Sequence, residues 1–148
     1  TEYDMRRSTL LQYGELEKLE VRILEDYGLR DFVRAVSADI DHRCAHCYTL
    51  RLGTAAKYAA SHGFGAFTSS LLISPYQDHE LLKAVGETMG RRYGVTFYYR
   101  DFRPGFRAGQ EKARSLGLYL QKYCGCIFSE EDRYRKKIDR AALRYAEP

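Results

Sequence analysis

"AHCYTLRLGTAAKYAASHG", residues 45–63, runs directly into "FGAFTSSLLIS", residues 64–74, and this junction decides the fold. The first segment has the apolar spacing of a helix, with Cys47, Leu50, Thr54 and Tyr58 expected on one face and Gly63 as its stop. The second is short, apolar and rich in β-formers, as expected of a buried strand. "DHELLKAVGETMGRRYG", residues 78–94, reads as another helix with Asp78 as N-cap, and "VTFYYRDF", residues 95–102, as another strand. Strands separated by helices pair in parallel, because each return needs a crossover. The expected class is α/β, a parallel-sheet layered fold.

Outward from this centre the pattern continues. "MRRSTLLQYGELEKL", residues 5–19, places Leu10, Tyr13 and Leu16 three apart on a helix that Gly14 weakens. "EVRILE", residues 20–25, alternates like a short strand. "LRDFVRAVSADI", residues 29–40, puts Phe32, Val33, Val36 and Ile40 on one helical face. "GQEKARSLGLYLQKY", residues 109–123, is a weaker helix, and residues 129–146 a last one, capped by Ser129 with acids in its first turn. No repeat or low-complexity linker interrupts the chain, so one domain over residues 1–148 is expected.

Composition is that of a soluble globular protein, with 45% hydrophobic and 30% charged residues. No apolar run is long enough to span a membrane, and the opening "TEYDMRRSTLL" has no signal-peptide core. A cytoplasmic setting with reduced thiols is the expectation. The net charge of +4 permits an RNA partner without requiring one.

The four cysteines form two pairs. Cys44 and Cys47 in "DHRCAHCYTLRL" lie three apart at a helix start, which puts both thiols on one face where the helix dipole favours thiolate. Such a pair suits a soft metal, an iron–sulfur cluster or a redox dithiol, or is a pair of core cysteines. His42 and His46 flank it as candidate ligands or proton donors, or as solvated residues. In "QKYCGCIFS", residues 121–129, Gly125 lets the backbone bend so that Cys124 and Cys126 point at one centre or close into a strained, readily reduced disulfide. Together the pairs make a candidate Cys₄ metal set of Cys44, Cys47, Cys124 and Cys126. Their separation far exceeds the roughly 15–20 residues of a ribbon-type zinc site, so only tertiary folding can unite them.

Polar residues gather where the two strands end, the place where open parallel sheets build their sites. "SSLLISPYQDHE", residues 69–80, supplies Tyr76, and "FYYRDFRPG", residues 97–105, supplies Arg100, Asp101 and Arg103. The basic "RYRKK", residues 133–137, including Arg135 and Lys136, is a candidate phosphate contact or a solvated helix end.

"RCAHCYTLRLGTAAKYAASHGFGAFTSSLLISPYQD", "YYRDFRPGF" and "YLQKYCGCIFS" resemble the QueH-type epoxyqueuosine reductases over residues 1–130. The resemblance implies a fold similar to the nucleotide-α-hydrolase-like (HUP-type) α/β proteins. It implies reduction of epoxyqueuosine to queuosine at the tRNA wobble position, the last step of queuosine biosynthesis. It also implies a [4Fe–4S] cluster, with room for an additional iron, and a low-potential electron donor. The family pattern opens with a strand and a C-C-x-x-C motif, and neither occurs in these 148 residues. On ligand counting, the four cysteines present are expected to leave the chain inactive or nearly so until that motif is supplied.

The implied chemistry assigns Cys44 and Cys47 to the cluster, as the tighter metal pair. Cys124 and Cys126 are assigned to a redox-active disulfide or to further ligation, and both pairs are expected within reach of one cluster. Asp101, Tyr76 and His46 are the candidate acids for the departing oxygen. The alternatives are a non-catalytic, zinc-stabilised RNA-binding module and an inactive fragment of the enzyme.

Overall fold

The computed structural model describes residues 1–145, leaving aside the side chains of 136, 138 and 140–145. The elements are α1 (Glu2–Leu16), α2 (Leu29–Val36), α3 (Arg43–Ser61), β1 (Ala66–Phe67), α4 (His79–Tyr93), β2 (Thr96–Phe97), α5 (Phe106–Ser115) and α6 (Ile127–Tyr145), with 3₁₀ turns at Ser70–Ile73 and Arg103–Gly105. The chain is mostly helical with a small parallel sheet, in which Ala66 pairs with Thr96 and Phe67 with Phe97. It divides into two compact units, Leu24–Ala108 and Thr1–Ile23 with Gly109–Pro148.

The middle unit holds the apolar core. Tyr48, Leu52, Ala56 and Ala59 of α3 meet Leu82 and Met89 of α4, with Phe67, Leu72, Val95 and Phe97 from the strands and their loops. The ends of α3 and α4 are locally encoded. The Asp78 carboxylate accepts from the Leu81 amide at 3.0 Å and starts α4. At the end of α3, Gly63 is left-handed at φ +75°. There the Phe64 amide donates to the Ala59 carbonyl at 2.9 Å and that of Gly63 to Ala60 at 3.4 Å, a Schellman stop.

Three expectations for residues 20–74 need correction, and a fourth falls at α6. The buried stripe of α3 runs through Tyr48, Leu52, Ala56 and Ala59, while Leu50 is 50% exposed. The helix turns the Tyr48 row inward because that row carries the small alanines that α4 can approach. The apolar "SSLLI" is not strand: the Ser69 hydroxyl accepts from the Leu71 amide at 3.2 Å and winds Ser70–Ile73 into a 3₁₀ turn that buries Leu72. Residues 20–24 alternate in exposure as a strand would, but no described strand offers a ladder, and residues 20–25 have no regular structure.

The sheet can press on α4 because two of its helical positions lack side chains. A Cβ at Gly86 would collide with the Phe97 ring, and one at Gly90 would sit 2.6 Å from the Val95 carbonyl oxygen. Alanine normally adds about 1 kcal/mol to a helix over glycine. At Gly90 the neighbour is backbone and cannot swing away, so overpacking of about 1–3 kcal/mol prevails. Gly90→Ala is expected to lower unfolding free energy by about 1–2 kcal/mol in urea denaturation, against the helix-propensity trend.

In the other unit Gly14 of α1 is buried, and a Cβ there would strike Val21 Cγ2. The glycine that weakens the helix in sequence is what lets the following segment fold back onto it. Thr1 and Asp4 form a capping box. Ser129 lies inside α6, which begins at Ile127, so it is not the cap. Cys126 is the N-cap residue, and its carbonyl accepts the first helical bond of α6 from the Glu130 amide at 3.0 Å.

Candidate functional site

Cys44 stands in the first turn of α3 and Cys47 one turn on, exposed and half-buried respectively. His42 occupies the N-cap position, and its Nδ1 meets the Asp39 carboxylate at 2.8 Å. That hydrogen bond raises the imidazole pKa above its ordinary value. His46 is exposed, with its ring 6.0 Å from that of Phe32.

Tyr48, next to Cys47, ties this helix start to the loop after β1. Its buried hydroxyl donates to Gln77 Oε1 at 2.8 Å and accepts from the Asp78 amide at 3.3 Å. Burial pushes the phenol up to about 12, opposed by the Asp78 amide and reinforced by negative charge on Cys44 and Cys47. The phenol thus stays protonated at neutral pH and feels the thiol pair. Tyr48→Phe is expected to cost about 1–2 kcal/mol of stability, by stranding the Gln77 acceptor and the Asp78 amide. Thermal unfolding followed by circular dichroism reads the loss.

The loops after β1 and β2 lie side by side, with the Phe102 amide donating to the Leu72 carbonyl at 3.3 Å. They bring together His79, Tyr99, Asp101 and Arg103, as strand ends in such sheets do. His79 is only 6% exposed. Its Nε2 donates to the Ser74 carbonyl at 3.2 Å, which leaves Nδ1 facing the Tyr99 hydroxyl at 3.4 Å as an acceptor. Asp101 is gripped by Arg103, whose Nε and Nη2 donate at 2.9 and 2.6 Å and whose amide donates at 3.0 Å. These bonds hold the carboxyl down at about 2. Asp101 is therefore ionised at neutral pH and has no proton to give. With its pKa depressed on folding, the clamp's contribution is present above the ordinary carboxylate range and is lost as pH falls toward about 2. Tyr76 is 83% exposed, its ring edge-on to Phe106 at 6.0 Å.

In the other unit, Cys124 and Cys126 are half-buried thiols on either side of Gly125, whose φ of +103° only glycine adopts readily. The turn is held from both sides. The Tyr123 hydroxyl donates to Glu130 Oε2 at 3.0 Å, and burial followed by that bond pushes the phenol up to about 12. From α1, Arg6 Nη2 donates to the Tyr123 carbonyl at 2.7 Å. Glu2 steadies Arg6 at 2.7 Å and is itself held by the Tyr119 hydroxyl at 2.6 Å.

The donor chemistry in both places fits thiolate ligation or dithiol redox. Each unit offers two thiols, and within neither unit do three or more described His, Cys, Asp or Glu side chains converge as a metal-holding group. Sequence reading overlooked Tyr48, His79 and Arg6. Tyr48 had a usable signal in its spacing to Leu52. Arg6 had none, lying more than a hundred residues from the turn it holds. Arg135 pairs with Glu131 on α6, the Lys136 side chain lies outside the described residues, and no described helix is long and apolar enough to cross a membrane.

A model of the family described as epoxyqueuosine reductase QueH matches residues 1–132, which include both cysteine pairs. Among curated relatives, epoxyqueuosine reductase QueH of Dehalococcoides mccartyi is 41% identical over 110 residues, 74% of this chain and 60% of that protein. The protein of the same name from Thermotoga maritima is 31% identical over 94% of this chain and 77% of its own length. That of Helicobacter pylori is 33% identical over 76% of this chain and 34% of its own length. The chain belongs to the epoxyqueuosine reductase QueH family.

Proposed function

We propose that the protein reduces epoxyqueuosine to queuosine at the wobble position of tRNA, completing that modified nucleoside. The supporting observation is the family match, which spans both thiol pairs. In this reading Cys44 and Cys47 share in holding a [4Fe–4S] cluster, beside which an additional iron has a place, and Cys124 and Cys126 are the two-electron relay. When bound, the cluster passes single electrons from a low-potential donor. Opening the epoxide to an alkene takes two electrons and two protons and releases water. Closing the Cys124–Cys126 dithiol to a disulfide supplies two electrons and two protons. Tyr76, whose hydroxyl stands at an open position, is the candidate acid of this reading, and ionised Asp101 anchors Arg103. The HUP-type fold and a cytoplasmic setting, where thiols are kept reduced, belong to the same reading.

The test is anaerobic reconstitution with iron and sulfide, on this chain and on the same chain preceded by a C-C-x-x-C segment. Each is then given tRNA bearing epoxyqueuosine and a low-potential reductant. Queuosine is expected from the lengthened chain, with little from the 148 residues alone. Bound zinc without labile sulfide, and no product from either, would overturn the proposal.

A further inference from the structure

Tyr76 is 83% exposed, yet the turn that carries it is anchored from inside the fold. Ser74–Gln77 closes as a β-turn, with Pro75 at its second position and the Gln77 amide donating to the Ser74 carbonyl at 3.4 Å. That carbonyl also accepts from His79 Nε2 at 3.2 Å, and the Ser74 hydroxyl accepts from the Tyr76 amide at 3.3 Å. On the far side the Tyr48 hydroxyl donates to Gln77 Oε1 at 2.8 Å. His79 and Tyr48 are both buried, so two interior polar side chains fix a turn whose tip is an open aromatic ring. A perpendicular contact with Phe106, ring centres 6.0 Å apart, braces that ring, and its high exposure leaves a face open.

A surface tyrosine alone marks nothing, because single exposed apolar residues are ordinary. The charge beside this one points to its partner. The loop after β1, residues 68–77, has no charged side chain. The stretch after β2, residues 98–107, carries Arg100, Arg103 and Arg107 against the single carboxylate of Asp101, which Arg103 engages. The bond from the Phe102 amide to the Leu72 carbonyl, 3.3 Å, joins the two loops. Arg100 lies 5.8 Å from the centre of the Phe102 ring and has no carboxylate partner among the described residues. Asp78 and Glu80 follow at the start of α4, where Asp78 is taken up by the Leu81 amide. An excess of guanidinium groups beside a fixed aromatic face suits single-stranded RNA, whose phosphates are drawn by charge and whose bases all offer a face to stack.

We propose that Tyr76 is a stacking contact for an unpaired base of an RNA ligand, whose phosphates the arginines of residues 98–107 attract. The inference rests on the reading of the substrate as RNA and deepens it by naming where that RNA is held. Stacking uses the face of the ring and leaves the hydroxyl to its role as candidate acid.

The experiment titrates the 148-residue chain into two fluorescein-labelled RNAs and reads fluorescence anisotropy. One is the unmodified anticodon stem-loop of a tRNA, the other the fully paired duplex of its stem. Tyr76→Ala is expected to bind the hairpin about tenfold more weakly, the scale of one lost base stack, with no change for the duplex. Tyr76→Phe keeps the ring and is expected to bind like the wild type. Tyr76→Leu keeps bulk without a flat π face, so it is expected to match the alanine variant, and it decides if that variant fails to fold by circular dichroism. Arg100→Gln is expected to weaken binding of both RNAs and to lower the slope of log affinity against log salt by about one. Equal hairpin affinity in the wild type and the folded Ala and Leu variants would overturn the contact, as would a wild-type chain that binds no hairpin. Queuosine formed by the lengthened chain would in either case leave the reductase reading standing. Hairpin binding that depends on Tyr76, with no queuosine formed, would end the reductase reading and keep the contact.

Discussion

Cys124→Ser is expected to stop reductase turnover while leaving the iron and sulfide of the reconstituted enzyme in place. Cys44→Ser is expected to lose both. In the proposed reading the first pair serves ligation: Cys44 and Cys47 stand one turn apart on α3, whose backbone is fixed by nineteen residues of helix and by the Tyr48 anchor. In the same reading the second pair moves between two covalent states, with Gly125 at φ +103° the one residue between the sulfurs. A serine there cannot close a disulfide, so two electrons have nowhere to wait. The loss should be on the order of 10³-fold or more, the scale found when a group that forms the reacting bond is removed. Iron analysis and single-turnover assays separate the two variants. Equal loss of iron from both would make Cys124 a ligand and end its role as relay.

Leu82→Ala is expected to lower stability by about 3 kcal/mol, within the range of about 2–5 for fully buried leucines. Leu82 is 0% exposed, and Leu52, at 1%, belongs to the same buried cluster from the facing helix α3. The residual cavity has little chance to collapse, because Gly86 and Gly90 already bring the strands into contact with α4. Domains of this size hold about 5–15 kcal/mol in total, so the variant should melt more than about 10 °C lower. Differential scanning calorimetry gives the value. A loss under about 1 kcal/mol would mean that this core is not closed around Leu82. The effect should reach function too, since the loops after β1 and β2, which carry Tyr76 and Asp101, lead directly from this core.

The ends of α3 and α4 were legible in local residues: Asp78 starts α4, Gly63 stops α3, and the thiol pair falls at the helix start its spacing implied. These are interactions within a turn or two of the chain, and local sequence carries them. The motifs around Cys44, Cys47, Cys124 and Cys126 likewise marked the family, whose model spans both pairs. What tertiary structure decided is non-local. Two-residue strands exist only because β1 and β2 find each other, whereas residues 20–25, despite their alternation in sequence, meet no pairing strand among the described residues. The inward row of α3 was chosen by what α4 could approach, passing over Leu50 in favour of Leu52. Ionised Asp101 and the Arg6 guanidinium over Gly125 follow from side chains meeting at fixed distances. Periodicity and caps report on neighbours along the chain. A carboxylate's charge state and a cation's place over a thiol turn depend on neighbours in space, and folding alone supplies those.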